Sequence, residues 1–178
     1  MKPTLLYIHG LGSDRHSRKF VDLKNYFGDK FLFEFIEWNI RSDISALLAV
    51  AELKLKSAHR AILIGDSTGA NFAHQLREKM KQSGKESLLI LTSPLLDLGD
   101  RIADFEFPES LIPQLIKIEH PEDALIIASL KDEIINQKPL FEKPLKAVRL
   151  IRVDDNHRLM KFQNYMPEIE HYILSKLL

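Results

Sequence analysis

A serine held between two glycines, in Gly65-Asp66-Ser67-Thr68-Gly69, is where residue type and spacing in this chain point most directly to covalent chemistry. The apolar run Ala61 to Ile64 before it has strand length, and Phe72, Leu76 and Met80 after it recur at helical spacing. G-x-S-x-G between a strand and a helix forms a sharp bend that lifts the hydroxyl clear of a sheet, over the unpaired N–H groups of a helix start. Glycines flank it because side chains there would collide across so tight a turn. A serine hydroxyl is a poor nucleophile at its own pKa and needs a base beside it.

Finding that base requires the elements that carry it. Pro3 to His9 predicts a buried strand closed by Gly10-Leu11-Gly12-Ser13, and a helix follows from about Ser17, with Gly28 as its stop. Phe31 to Trp38 predicts a second strand, and Ser42 or Asp43 can cap a helix bearing Ile44, Leu47, Leu48, Ala51 and Leu55 on one stripe. After the serine's helix, ended by Gly84, apolar runs recur at Leu88 to Thr92, Ala124 to Leu130 and Ala147 to Val153. From Leu159 onward, Phe162, Tyr165, Ile169, Tyr172 and Ile173 predict a closing helix.

Six strand candidates alternating with helices, nearly all apolar on both faces, predict an α/β three-layer sandwich with a mainly parallel sheet. No repeat, linker or low-complexity tract divides residues 1–178, which read as one domain. In such sheets the ligand site lies beyond the carboxyl ends of the strands. His9-Gly10-Leu11 follows the first strand, Ser67 the third, Lys131-Asp132-Glu133 the fifth and Asp154-Asp155-Asn156-His157 the sixth. A serine, an acid and a histidine thus occur in that chain order, each at a strand exit. On these residues alone the acid is Asp132, Glu133 or Asp97, the last just after the fourth strand.

With these motifs in place the chain resembles the α/β-hydrolases, and more closely the small YqiA-like esterases. The resemblance rests on Tyr7-Ile8-His9-Gly10 with Ser13, on Ile64 to Gly69, on Asp132-Glu133-Ile134, and on His157 with Phe162, Tyr165, Pro167 and Ile169. Two positions depart from it: Leu159 stands where an aromatic usually follows the histidine, and Asp66 and Thr68 flank the serine where a small and an aliphatic residue are commoner.

The resemblance implies a serine esterase with Ser67 as nucleophile, His157 as general base and Asp132 orienting the imidazole. It places the oxyanion hole at the backbone N–H groups of Leu11 and Thr68. Glu133 and Asp97 are the rival acids, and His9 ties down the oxyanion loop. Asp66 has two readings, stiffening the bend through hydrogen bonds or disfavouring anionic substrates. The weakly patterned stretch 97–120, broken by Pro108 and Pro113, is read either as a small cap whose Ile102, Phe105 and Phe107 line an acyl pocket or as a surface helix packed on the sheet.

Composition excludes other classes. Lysine plus arginine and aspartate plus glutamate number 25 each, so no global field recruits nucleic acid or anionic membrane. There is no cysteine, which removes thiolate catalysis and disulfides. The remaining histidines show no paired ligand spacing, so no metal is expected. Gly10-Leu11-Gly12 lacks the third glycine of a dinucleotide loop, and Gly65 to Gly69 lacks the lysine of a P-loop, so no cofactor is expected. With no signal-like or membrane-spanning run, the expectation is a cytoplasmic protein acting on a small ester or thioester. The sequence leaves its oligomeric state open.

Overall fold

Six parallel strands in the order β2-β1-β3-β4-β5-β6 build the sheet that carries every candidate residue. The structure is a computed structural model, and residues 2–177 are described. The strands are β1 (Thr4–Ile8), β2 (Leu32–Ile36), β3 (Ala61–Asp66), β4 (Ser87–Thr92), β5 (Ala124–Ser129) and β6 (Arg149–Val153). The helices are α1 (Arg18–Phe27), α2 (Ile44–Lys56), α3 (Thr68–Gln82), α4 (Lys138–Glu142) and α5 (Met166–Leu177).

The central strands are apolar on both faces because both faces are covered. Leu6, Ile8, Leu63, Leu89, Leu91 and Ile126 pack towards Leu48, Leu55, Phe72 and Leu76 of α2 and α3. Alternate residues Leu5, Tyr7, Ile62, Ile64, Ile90 and Ile127 pack towards Phe20 and Leu23 of α1 and Ile169 and Ile173 of α5. Each such side chain taken from water contributes about 1.5–3 kcal/mol. The edge strands differ: in β2 Leu32 and Glu34 are exposed while Ile36 is buried.

Register then gathers the strand exits. Ile8 lies opposite both Ile36 and Gly65, Asp66 opposite Thr92, and Ser129 opposite Val153. The loops after β1, β3, β5 and β6 therefore open at one edge.

Two local expectations are corrected, and one short element goes unread in the sequence. Residues 159–165 form turns and a short 3₁₀ segment (Phe162–Tyr165), and α5 starts only at Met166. Leu159 has φ +47°, a left-handed conformation that a continuous helix cannot include. The stretch 97–120 contains two short 3₁₀ turns, Leu98–Asp100 and Glu109–Gln114, instead of an α-helix. The short helix α4, with Pro139 in its first turn, gives too brief an apolar pattern to be read from sequence.

Candidate active site

The bend at the end of β3 puts Ser67 at φ +52° and ψ −118°, strained backbone for a residue with a side chain. Its N–H donates to the carbonyl of Thr92 at 2.9 Å, and its carbonyl accepts from Ala70 and Leu95 at 3.0 and 3.1 Å. The flanking glycines answer to close approach. A Cβ on Gly69 would lie 2.3 Å from the carbonyl oxygens of Ile8 and His9, and one on Gly65 would lie 2.5 Å from Ala70 Cα. The bend is thus wedged between β1 and α3.

His157 reaches Ser67 from the loop after β6. Its Nε2 lies 3.1 Å from Ser67 Oγ, and its Nδ1 lies 2.9 and 2.8 Å from the two carboxylate oxygens of Asp132. With Nδ1 donating to a carboxylate, Nε2 is left as the acceptor facing the serine hydroxyl. Asp132 is held on every side: Oδ1 accepts from the N–H groups of Ile134 and Ile135, both at 2.9 Å, and Oδ2 accepts from Gln137 Nε2 at 3.1 Å. Its side chain is 1% exposed, so these donors replace water around a buried charge.

The rival acids are employed elsewhere. Glu133 Oε2 accepts from the backbone N–H of His157 at 3.0 Å and holds the loop, not the ring. Asp97 caps Gly99 N at 2.8 Å and pairs with Lys117.

Other residues hold the histidine loop in roles that the sequence did not indicate. Ser93 Oγ donates to the His157 carbonyl at 2.8 Å. Asp155, buried, accepts from the N–H groups of Asn156, Met160 and Lys161 and from Tyr165 Oη. Burial works against its charged form, yet these bonds prevail and hold its pKa below the usual value, while Tyr165 is pushed up to about 12 by burial and by that carboxylate.

The loop after β1 supplies the remaining wall. His9 stacks between Phe35 and Trp38, with ring centroids 5.4 and 5.0 Å away. Its Nε2 accepts from Trp38 N at 3.2 Å, so Nδ1 carries the proton and donates to the Gly10 carbonyl at 2.7 Å. Burial lowers its pKa, in keeping with a neutral ring. The backbone N–H groups of Leu11 and of Thr68, the first residue of α3, make no hydrogen bond to another described residue.

A cleft of about 390 Å³ opens beside Ser67 and His157. Leu11, Ser17, Arg18, Lys19, Asp66 and Met160 line it. Ile102, Phe105 and Phe107 do not border it. Ile102 N bonds to the Ile134 carbonyl, Arg101 lies over the rings of Phe105 and Phe107, and Phe107 packs half-buried against the core cluster that includes Leu111 and Ile118. Among the described residues no group of three or more histidines or carboxylates gathers that could hold a metal ion. None of the helices there is long and apolar enough to cross a membrane.

Solved structures share this architecture across nearly the whole chain. An alpha/beta superfamily protein from Xanthomonas campestris pv. campestris is 19% identical, with all of each chain covered and a TM-score of 0.65. Est1E from Butyrivibrio proteoclasticus is 16% identical over 99% of this chain and 88% of its own, with a TM-score of 0.74. The chain has the α/β-hydrolase fold. YbtT, the type II thioesterase of the yersiniabactin pathway, has the same fold at 14% identity, covering 96% of this chain and 92% of its own, with a TM-score of 0.69. No protein-family model matches the chain, and no curated protein sequence does. The α/β-hydrolase likeness is therefore one of fold, and the nearer likeness to YqiA-like esterases rests on the motifs alone.

Proposed function

We propose that this protein is a serine hydrolase that cleaves small carboxylic esters through an acyl-enzyme. The observation that carries the reading is the chain of contacts from Ser67 Oγ to His157 Nε2 at 3.1 Å and from His157 Nδ1 to Asp132 at 2.8 Å. In this reading Ser67 Oγ attacks the acyl carbon while His157 Nε2 takes its proton, and Asp132 stabilises the imidazolium that results. The oxyanion settles on the N–H groups of Leu11 and Thr68, which donate to no other described residue. Collapse breaks the bond to the alcohol, which leaves with the proton from His157. A water deprotonated by the same nitrogen then hydrolyses the acyl-enzyme, and Ser67 is restored.

A thioester reading uses the same steps, with a thiol in place of the alcohol. The similarity to the type II thioesterase YbtT favours keeping it as the second reading. A fluorophosphonate probe and p-nitrophenyl acetate test both. The expected result is labelling at Ser67 and turnover, both lost in Ser67→Ala. Equal turnover by wild type and variant, or a folded chain that does not label, would end the hydrolase reading and leave an α/β-hydrolase-like interaction module.

A further inference from the structure

We infer that the cleft beside Ser67 selects a short acyl group bearing a hydroxyl over the corresponding alkyl chain. The inference rests on the hydrolase reading above and narrows its substrate. Asp66, next to the nucleophile, is paired with Lys19 of α1, whose side chain is 6% exposed, and both line the cleft. Asp66 Oδ1 takes the bond from Lys19 and another from Thr92 Oγ1 at 2.7 Å. Its second oxygen takes no hydrogen bond from any described residue and is not sealed from solvent.

That free oxygen and the nucleophile flank one glycine in the wall of the cleft. A Cβ built on Gly10 would lie 3.1 Å from Ser67 Cβ and 3.6 Å from Asp66 Oδ2, so both side chains close on the same glycine. Lys19, with Phe162 at 5.9 Å from its ammonium on another side, keeps further N–H donors beyond the one given to Asp66. An acceptor and a donor thus stand side by side in the wall of the cleft that Ser67 also lines.

An alkyl chain entering there would strip water from a carboxylate oxygen and return nothing. A hydroxyl can donate to Asp66 Oδ2 and accept from Lys19 at once, which neither a methyl nor an ammonium can do. The large apolar residues of the lining are Leu11 and Met160, and Met160 is 59% exposed, so little apolar wall awaits a longer chain.

The test is protection of Ser67 from fluorophosphonate labelling by ethyl 3-hydroxybutyrate against ethyl butyrate, which differ by one hydroxyl. In wild type the hydroxy ester is expected to protect at a concentration about tenfold lower or less, since sites built to bond a hydroxyl discriminate strongly against its absence. In Lys19→Met/Asp66→Leu, which replaces the pair by apolar groups of similar size, the preference should vanish or reverse. Equal protection by the two esters in wild type, or a preference unchanged in the double variant, would overturn the inference while leaving the hydrolase reading intact. A wild-type chain that does not label overturns that reading, and this inference falls with it. The wild-type comparison stands even if the double variant fails to fold.

Discussion

Arg18, at the first position of α1, donates to the carbonyls of Arg158 and Leu159 at 2.8 Å each, across 140 residues of sequence. Its other terminal nitrogen reaches Asp22 at 3.4 Å. A guanidinium is planar and rigid, so the helix after β1 holds the turn that begins at His157. Arg18→Ala frees that turn, and His157 then samples poses away from Ser67. On the proposed reading kcat on p-nitrophenyl acetate should fall about 10- to 100-fold with KM little changed, because misplacement of a general base is felt in the reacting geometry. Partial recovery in Arg18→Lys would separate hydrogen bonding from packing.

Asp132 and Glu133 are adjacent yet touch different parts of His157, the ring and the backbone N–H. If Asp132 acts as proposed, Asp132→Asn should keep a native circular dichroism spectrum and lose activity by about 10⁴, the scale known for an amide in place of a triad acid. Glu133→Gln keeps an acceptor for the backbone N–H and should cost less than about tenfold, one charge-assisted hydrogen bond at most. If the two variants lose the same activity, the assignment of Asp132 as the orienting acid fails.

Gly69 allows no side chain, because a Cβ there meets two carbonyl oxygens of β1 and its loop at 2.3 Å. Neither backbone can withdraw without breaking the wedge that holds Ser67. Gly69→Ala is expected to destabilise by about 3 kcal/mol, the upper range for overpacking. Urea unfolding measures it, and a loss under about 1 kcal/mol would show that the bend relaxes readily.

His74 on α3 is buried, its Nδ1 has no partner among the described residues, and burial together with Arg77 lowers its pKa to about 4. The unfolded chain binds its proton near pH 6.5, while the folded chain resists it until about pH 4. Stability is therefore intact above pH 6.5 and lost as pH falls towards about 4, by at most about 3 kcal/mol. His9, lowered by its own burial, adds in the same direction. Urea midpoints for His74→Leu should fall less between pH 7.5 and pH 4.5 than those of wild type. Parallel falls would place the acid sensitivity elsewhere.

Much of this was readable in one dimension. Burial on both faces imprints continuous apolar runs on β1, β3, β4 and β5, so the strands and their parallel arrangement follow from local composition. The steric demand at Gly65 and Gly69 likewise leaves its mark in residue type, and so does the capping of α2 by Asp43, which accepts from Ala46 N at 3.0 Å. These features depend on neighbours in the chain or on a whole face being dry, and both are written into the sequence.

What only the folded chain decided are pairings between distant residues of ordinary type. No residue of 97–120 borders the cleft beside Ser67, which is walled instead by the loop after β1, α1 and the turn after β6. Gln137 on Asp132, Arg18 on the histidine turn and Asp155 gathering its N–H groups have no motif, because a hydrogen bond across the molecule constrains two positions jointly and neither one alone. The sequence by itself determined a strained serine at the edge of a covered parallel sheet. Tertiary structure decided which carboxylate reaches the histidine ring and which charges face the serine, since strand order and register, not spacing in the chain, bring those groups together.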